Sequence, residues 1–298
     1  MTIRNMVLSA AILAATASPA VGAETITKNA TVAPDATVEV SNVQGSVEVT
    51  AWDRNEVQLV AELESSKDEL EFEATERMVR IEVDRPSGKY HNDEDDAFLT
   101  LHVPKGVRLI VDTVSADVTV TGVRGEQSLQ SVSGEVGTQA FDAPVNATAV
   151  SGEITIVGNG GKAVVTTENV SGSSTVSGIR GSYTGEVVSG EIRANVAQAD
   201  RIEANSVSGE IAIQAELSPT AQVEMETVSG TIALTIKPPV NANFDIETFS
   251  GDIENCFGQK PRDTSKYTPG SELNFTQGSG GARVEIQTLS GEISICDR

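Results

Sequence analysis

The stretch Val150-Ser151-Gly152-Glu153-Ile154 decides the fold, because near copies of it recur along most of the chain. Successive copies lie 18 to 21 residues apart, apart from a final interval of 40. A sequence period of about 20 residues is typical of architectures built from stacked repeats. The serines of the copies are Ser115, Ser133, Ser151, Ser171, Ser189, Ser208, Ser229, Ser250 and Ser290. A degenerate copy at Val43–Val47 is interpreted as the opening of the array.

Within each copy, apolar residues recur at every second position. Numbered from the serine as zero, position −1 is apolar in every copy, and position +3 is Val or Ile everywhere except at Ser174. Positions −6 and −4 are apolar in several copies, as in Val223 and Met225, and position −2 is often Thr or Ser. This alternation predicts two short strands, and its change of parity predicts a corner at Ser-Gly, where glycine supplies backbone freedom. The predicted corners include Ser133-Gly134, Ser151-Gly152, Ser189-Gly190, Ser208-Gly209, Ser229-Gly230, Ser250-Gly251 and Ser290-Gly291.

A unit of this size cannot bury an apolar face alone, but it can do so against its neighbours. Stacked strands would lie about 4.8 Å apart and form interior columns of Val and Ile, one for each apolar position of the repeat. Such a core needs few aromatic residues, in agreement with the 4% present. Because parallel connections are right-handed, the sequence predicts an all-β chain folded as a right-handed parallel β-helix, or solenoid, with rungs of about 20 residues.

The chain divides into three segments. Residues 1–23 have Arg4 as their only charge, an apolar run and a small-residue ending at Ala23, which is typical of a secretory signal peptide. Residues 24–104 are interpreted as an irregular N-terminal β cap with opening rungs, containing an acidic loop at 91–96. Residues 105–298 are the repetitive solenoid. We therefore expect an exported protein, in the periplasm or at the cell surface, without a transmembrane segment.

The two cysteines occupy the same position in two copies of the repeat. Cys256 lies six residues after Ser250, and Cys296 lies six residues after Ser290. If these copies stack directly, their Cα atoms lie about 5 Å apart, within the range for a disulfide. An exported compartment permits the oxidation. The sequence therefore predicts a Cys256–Cys296 disulfide that clasps the last rung.

The composition excludes several functional classes. A formal net charge of −22 disfavours nucleic-acid binding, and 2 His with 2 Cys cannot build a large imidazole or thiolate metal array. The serines of the array lack a histidine that could act as a base, and their hydroxyls are expected to bond corner backbone groups. Polysaccharide-cleaving β-helices need long loops around a groove, whereas these copies are nearly uniform. We expect no catalytic residues and no required cofactor.

An acidic residue follows the corner glycine in most copies. One interpretation is a weak Ca²⁺ ladder of stacked carboxylates. The alternative is a solvated acidic edge that suppresses aggregation, which the interruptions at Ser173 and Thr231 favour. The residues are Glu135, Glu153, Glu191, Glu210, Asp252 and Glu292, with Asp117 at the same offset.

The segment Asn42–Asp53 (NVQGSVEVTAWD), the junction Leu101–Gly106 (LHVPKG) and the serial VSG-acidic-apolar copies together resemble a known bacterial family. It is the family of unknown function labelled "putative adhesin", a β-solenoid group related to head-GIN autotransporter-like adhesins. The resemblance implies an adhesive or scaffolding role at the cell envelope, with a protein or glycan partner, and no catalytic residues. The alternatives are a periplasmic structural or envelope-stress solenoid without a ligand and, third, a polysaccharide-active β-helix enzyme.

Overall fold

The computed structural model describes residues 24–65, 67–84, 95–264 and 270–297, and every regular element among them is a β-strand. The predicted signal peptide and residues 91–94 of the acidic loop lie outside the described residues. The N-terminal strands are β1 Glu24–Thr31, β2 Thr37–Trp52, β3 Glu56–Leu63, β4 Glu69–Ala74, β5 Met78–Asp84 and β6 Ala97–Pro104. The next are β7 Arg108–Thr121, β8 Gln127–Ser131, β9 Val136–Ala140, β10 Val145–Ala149, β11 Ile154–Gly158 and β12 Lys162–Asn169. The last are β13 Ser173–Ile236, β14 Ala242–Ser250, β15 Ile253–Asn255, β16 Arg262–Asp263, β17 Ser271–Gln277 and β18 Ala282–Cys296.

Consecutive copies of the repeat stack as parallel strands on both sides of the Ser-Gly corner. Before the corner, β7 pairs with β8, β8 with β10, and β10 with β12. After the corner, β7 pairs with β9, β9 with β11, and β11 with β13. The predicted all-β array of parallel, strand–corner–strand units is thus confirmed, and the long β13 runs unbroken through several copies.

The core is a set of stacked aliphatic columns, as the alternation predicts. Leu109, Val111, Val118 and Val120 represent the four inward positions −6, −4, +3 and +5 of the first regular copy, and each is at most 2% exposed. One bulky exception is Tyr183 of β13, which is fully buried and lies in register with Val165 of β12.

Position −1 does not form an interior column, and that expectation is wrong. Val132, for example, is 43% exposed, whereas the preceding Ser131 is buried. Inward-facing residues run through −6, −4 and −2, so −1 already faces outward where the chain turns. In the first copies the inward direction resumes at +1, where Ala116, Gly134 and Gly152 are buried, and it continues at +3. The column at −2 is therefore the buried one, and it is mostly polar: Thr113, Ser131, Asn169, Ser206, Thr227, Thr248 and Thr288.

At the N-terminal end the parallel stack changes into antiparallel sheet. β2 pairs in parallel with β7 on one side and with β5 and β6 on the other. Beyond them, β4 pairs antiparallel with β5, β3 with β6, and β1 with β3. β2 therefore has strand partners on both of its edges.

At the other end the spatial order of the copies differs from their order in the sequence. β18, the final copy, lies between β13 and β14 and pairs in parallel with both. The expectation that the final copy is the last rung is therefore wrong. β17 pairs antiparallel with β14 along its outer edge. The chain then continues into β18, which pairs with the opposite edge of β14.

Candidate binding surface

The corner glycines are required by the close approach of neighbouring rungs. A Cβ added to Gly134 would collide with the carbonyl oxygen of Ala116, and one on Gly209 would collide with that of Gly190. Among the corner glycines only Gly251 has a positive φ, of 156°. The predicted need for backbone freedom is therefore not the reason for glycine at most corners. The missing side chain lets one corner nest against the next.

In three copies the corner backbone is held by the buried residue at position −2. Ser131 Oγ accepts a hydrogen bond of 2.8 Å from the Gly134 amide, and Asn169 Oδ1 accepts one of 2.8 Å from the Gly172 amide. Thr113 Oγ1 donates to the Ala116 carbonyl at 3.1 Å. In these three copies the role expected of the corner serine is filled two positions earlier, whereas the buried hydroxyls at −2 in the copies of Ser208, Ser229, Ser250 and Ser290 make no such bond. The corner serines themselves lie at the surface, where Ser133 and Ser151 are exposed.

The outward residues at position −1 form a continuous row, which we call the apolar ladder. Each of its nine side chains is 40 to 58% exposed although all are Val, Phe or Leu. In spatial order the members are Val114, Val132, Val150, Val170, Val188, Val207, Val228, Leu289 and Phe249. Isolated exposed aliphatic residues are ordinary, but contiguous ones mark interaction surfaces. Parity counted from −2 already places these residues outside the core, so the sequence did contain the signal.

Two rows of carboxylates flank the apolar ladder. The corner acidic ladder, at position +2, comprises the seven residues Asp117, Glu135, Glu153, Glu191, Glu210, Glu292 and Asp252. The strand acidic ladder, at position −3, comprises Asp112, Glu168, Glu186, Glu226 and Glu247, all exposed. The strand acidic ladder was not among the predicted site residues, although it follows from the same parity.

Local contacts affect individual members of these rows. Partial burial raises the pKa of the Asp112 carboxyl above its ordinary value. Glu191 forms an ion pair with Arg193, and the hydrogen bond to this carboxylate raises the pKa of the Arg193 guanidinium. Elsewhere in the corner acidic ladder, the Glu135 amide donates to Asp117 Oδ1 at 2.9 Å. Among the described residues, no other carboxylate of the two rows forms an ion pair.

Two shallow grooves run between the strand acidic ladder and the apolar ladder. The first, of about 400 Å³, has Glu226 and Glu247 on one side and Val228, Leu289 and Phe249 on the other. The second, of about 340 Å³, has Glu168 and Glu186 facing Val150, Val170, Val188 and Val207. Both grooves are lined by Asn205 and Ser206, so they meet along the stack.

The geometry offers little for metal or acid–base chemistry. Within the described ranges, no group of three or more His, Cys, Asp or Glu side chains is arranged to hold a metal ion. Calcium binding by the corner acidic ladder stays the less favoured of the two interpretations of these carboxylates. His102 lies on β6 with its ring 5.1 Å from that of Trp52, away from the strands that carry the corner serines. No helix that could cross a membrane occurs in the part of the chain that the structure describes.

The two cysteines are brought together as the repeat positions indicate. Cys256 and Cys296 form a disulfide with their Cα atoms 4.9 Å apart. Since β18 lies beneath β14, the bond joins the outermost copy to the copy inside it. Cys256 is exposed and Cys296 is half-buried.

Comparison with known proteins gives a family and several matching solved structures. A family model described as Toastrack DUF4097 matches residues 36–237 and 186–296. A solved structure titled a "putative adhesin", from Bacteroides fragilis, is 12% identical with a TM-score of 0.41, covering 91% of this chain and 97% of that one. A "putative lipid binding protein" from Parabacteroides distasonis is 14% identical with a TM-score of 0.37, covering 92% and 97%. A "putative cell adhesion protein" from Clostridium sporogenes is 10% identical with a TM-score of 0.26, covering 92% and 100%. No curated protein matches the chain.

Proposed function

The chain belongs to the Toastrack DUF4097 family, and we propose that it is an exported, non-catalytic module that binds a protein or glycan partner at the cell envelope. In this proposal residues 1–23 are a signal peptide, residues 24–104 cap one end, and residues 105–298 supply a right-handed solenoid with rungs of about 20 residues. The mature protein then resides in the periplasm or at the cell surface, where the Cys256–Cys296 disulfide can form.

The observation that carries the proposal is the repetition of one outward-facing pattern along the stacked copies. An apolar residue at −1 and a carboxylate at +2 recur from the copy of Ser115 to that of Ser250. Core packing does not require either group, because both face solvent. A surface that repeats the same chemistry over many rungs suits the binding of an extended partner, as in other stacked-repeat proteins.

The same uniformity argues against an enzyme. Catalysis needs convergent polar groups in a pocket that excludes water. The two grooves are open and lined by carboxylates, amides, hydroxyls, aliphatic side chains and the Phe249 ring, without a histidine that could serve as a base. Among the described titratable groups with a shifted pKa, Tyr183 is the most buried; its hydroxyl is hydrogen-bonded to Thr167 in the core, and it lines neither groove.

Cell fractionation combined with capture of the partner tests the proposal. The native host is separated into cytoplasm, periplasm, membranes and medium, and intact cells are treated with protease. We expect the mature chain outside the cytoplasm, and we expect the purified chain immobilised on beads to retain an envelope component. A cytoplasmic location would contradict the proposal. A periplasmic chain that retains nothing would instead support the structural solenoid without a ligand.

A further inference from the structure

We propose that the apolar ladder and its two acidic ladders form a docking track for a cationic amphipathic α-helix of a partner polypeptide. This inference rests on the proposed binding function and specifies its surface and the class of partner. It starts from the finding that nine aliphatic or aromatic side chains, 40 to 58% exposed, are aligned in one row along the stack.

The length of the row matches a helix rather than a small ligand. Neighbouring strands lie about 4.8 Å apart, so nine rungs span roughly 38 Å. At a rise of 1.5 Å per residue, a helix of about 25 residues covers that distance. The two grooves, which meet at Asn205 and Ser206, extend along most of the row and give the helix a continuous bed.

The carboxylates on either side of the apolar ladder favour a positively charged partner. Glu168 and Glu186 of the strand acidic ladder line the same groove as Val170 and Val188. On the other side of the row, across the corner, lies the corner acidic ladder. A helix with an apolar stripe bordered by Lys and Arg would bury its stripe on the valines and place cations against both rows.

The same charges disfavour the other occupants. A second copy of this chain would bring its own acidic ladders against these, and like charges across an interface oppose association. A membrane rich in anionic lipids would repel a chain of net charge −22. A glycan platform needs exposed aromatic rings, and the row has Phe249 alone.

The probe is a labelled peptide of about 21 residues, composed of Leu and Lys, with Leu at helical a/d spacing and Lys elsewhere. Fluorescence anisotropy with the mature chain measures its Kd. A scrambled peptide of the same composition lacks the apolar stripe, and a peptide with Glu in place of Lys reverses the charge. We expect saturable binding of the first peptide only.

Variants of the apolar ladder locate the binding. Val170→Thr, Val188→Thr and Val207→Thr together keep the β-branched shape and should weaken Kd by about tenfold. The matched control is Val157→Thr with Val164→Thr, since these valines are 47% and 52% exposed but lie outside the row. Circular dichroism spectra and melting temperatures are used to check that both variants are folded.

Variants of the strand acidic ladder test the charge. Glu168→Gln, Glu186→Gln and Glu226→Gln should weaken binding severalfold and reduce its dependence on salt. The control, Glu69→Gln with Glu71→Gln and Glu73→Gln on the exposed face of β4, changes the net charge equally at the far end of the chain. Equal weakening by the two triple variants would show an effect of net charge alone and would overturn the docking track.

Other outcomes also overturn the inference. The scrambled peptide binding as tightly, or the valine variant binding unchanged, would remove the apolar ladder from the interaction. Sedimentation showing a dimer that the valine variant dissolves would assign the row to self-association, and co-sedimentation with phosphatidylglycerol vesicles would assign it to lipid. If native envelope capture persists in the valine variant, the proposed function stands while this track fails.

Discussion

Gly291 is stacked between Gly230 and Gly251, although the copy that carries Gly251 precedes Gly291 in the sequence. Gly291 is in register with Gly230, and a Cβ at Gly291 would collide with the Gly230 carbonyl oxygen. A Cβ at Gly251 would in turn collide with the Gly291 carbonyl oxygen. The last copy of the repeat is therefore an inner rung with backbone neighbours on both sides.

Replacing Gly291 by Ala should destabilise this end of the stack. The added methyl must push apart two backbones that are already in contact, and overpacking of this kind costs about 1–3 kcal/mol. The matched control is Gly137→Ala, because a Cβ there meets only the Val118 carbonyl at 3.9 Å. Urea unfolding of the two variants measures the difference. Equal stability of Gly291→Ala and Gly137→Ala would contradict the nested packing.

The disulfide should stabilise the same end by closing a long loop. Its cysteines are separated by 40 residues, and the chain-entropy model assigns such a closure about 3–4 kcal/mol. Cys256→Ser, Cys296→Ser and the double variant should lose the same amount, because each removes the one bond. Hydrogen exchange should increase first in β14 and β17, the outermost strands. A double variant clearly less stable than either single variant would show a further role for one sulfur.

Much of this fold can be predicted from short-range sequence patterns, whereas the spatial order of the copies depends on long-range contacts. The alternation around Ser133 and Ser151 predicts strands, corner and parallel stacking because side-chain parity is a local property. The disulfide is predicted because Cys256 and Cys296 hold the same repeat position, six residues after the corner serine. The spatial order of β14 and β18 is not local, because the two copies carry nearly the same apolar pattern and either could occupy the inner place. In the structure the outer copy is the one whose free edge pairs with β17.

The candidate surface shows the same division. The carboxylates that follow the corner glycines are evident from the sequence, since Glu135 and Glu153 hold the same offset. Valines at −1, such as Val132 and Val150, were expected inside because apolar residues usually are. Alternation counted from the buried position −2 places them on the outer side instead, and in the structure they are exposed. Apolar residues that recur at one position of the repeat and are nevertheless exposed indicate a surface for binding rather than for packing.

Tyr183 should make stability fall at alkaline pH. Burial raises the pKa of its hydroxyl to about 12, from an ordinary value of 10. Above pH 10 the unfolded chain loses this proton while the folded chain keeps it, so unfolding becomes progressively easier up to about pH 12. The full effect is about 2–3 kcal/mol. Below pH 10 the contribution is fully present.

Tyr183→Phe provides the control for this pH dependence. The variant lacks the titrating group, so its stability should fall less between pH 10 and pH 12 than that of the unmodified chain. At neutral pH it should lose about 1 kcal/mol, because Thr167 Oγ1 loses its partner at 3.0 Å. Denaturant unfolding at pH 7, 10 and 11.5 measures both effects. Parallel curves for the two chains across this range would contradict the assignment to Tyr183.

Neutralising a carboxylate within the corner acidic ladder should increase stability. Glu135 is stacked between Asp117 and Glu153, so Glu135→Gln removes repulsion from two neighbours and should add about 0.2–1 kcal/mol at low salt. Glu292→Gln should add less, because Glu292 is stacked between Thr231 and Asp252 and has one acidic neighbour. Both gains should shrink in high salt, which screens exposed charges. A loss of stability in Glu135→Gln would contradict the repulsion.

Titration with Ca²⁺ distinguishes simple repulsion from metal binding when the unmodified chain is compared with Glu135→Gln. A Ca²⁺ site needs six to eight oxygens at 2.3–2.6 Å, whereas carboxylates on adjacent rungs start from backbones about 4.8 Å apart. We therefore expect no heat on titration of millimolar Ca²⁺ and no shift in melting temperature for either protein. If Ca²⁺ instead stabilises the unmodified chain and this gain is lost in Glu135→Gln, the ladder binds the cation. Mg²⁺ at the same concentration controls for screening, since a non-specific divalent effect would be equal for the two ions.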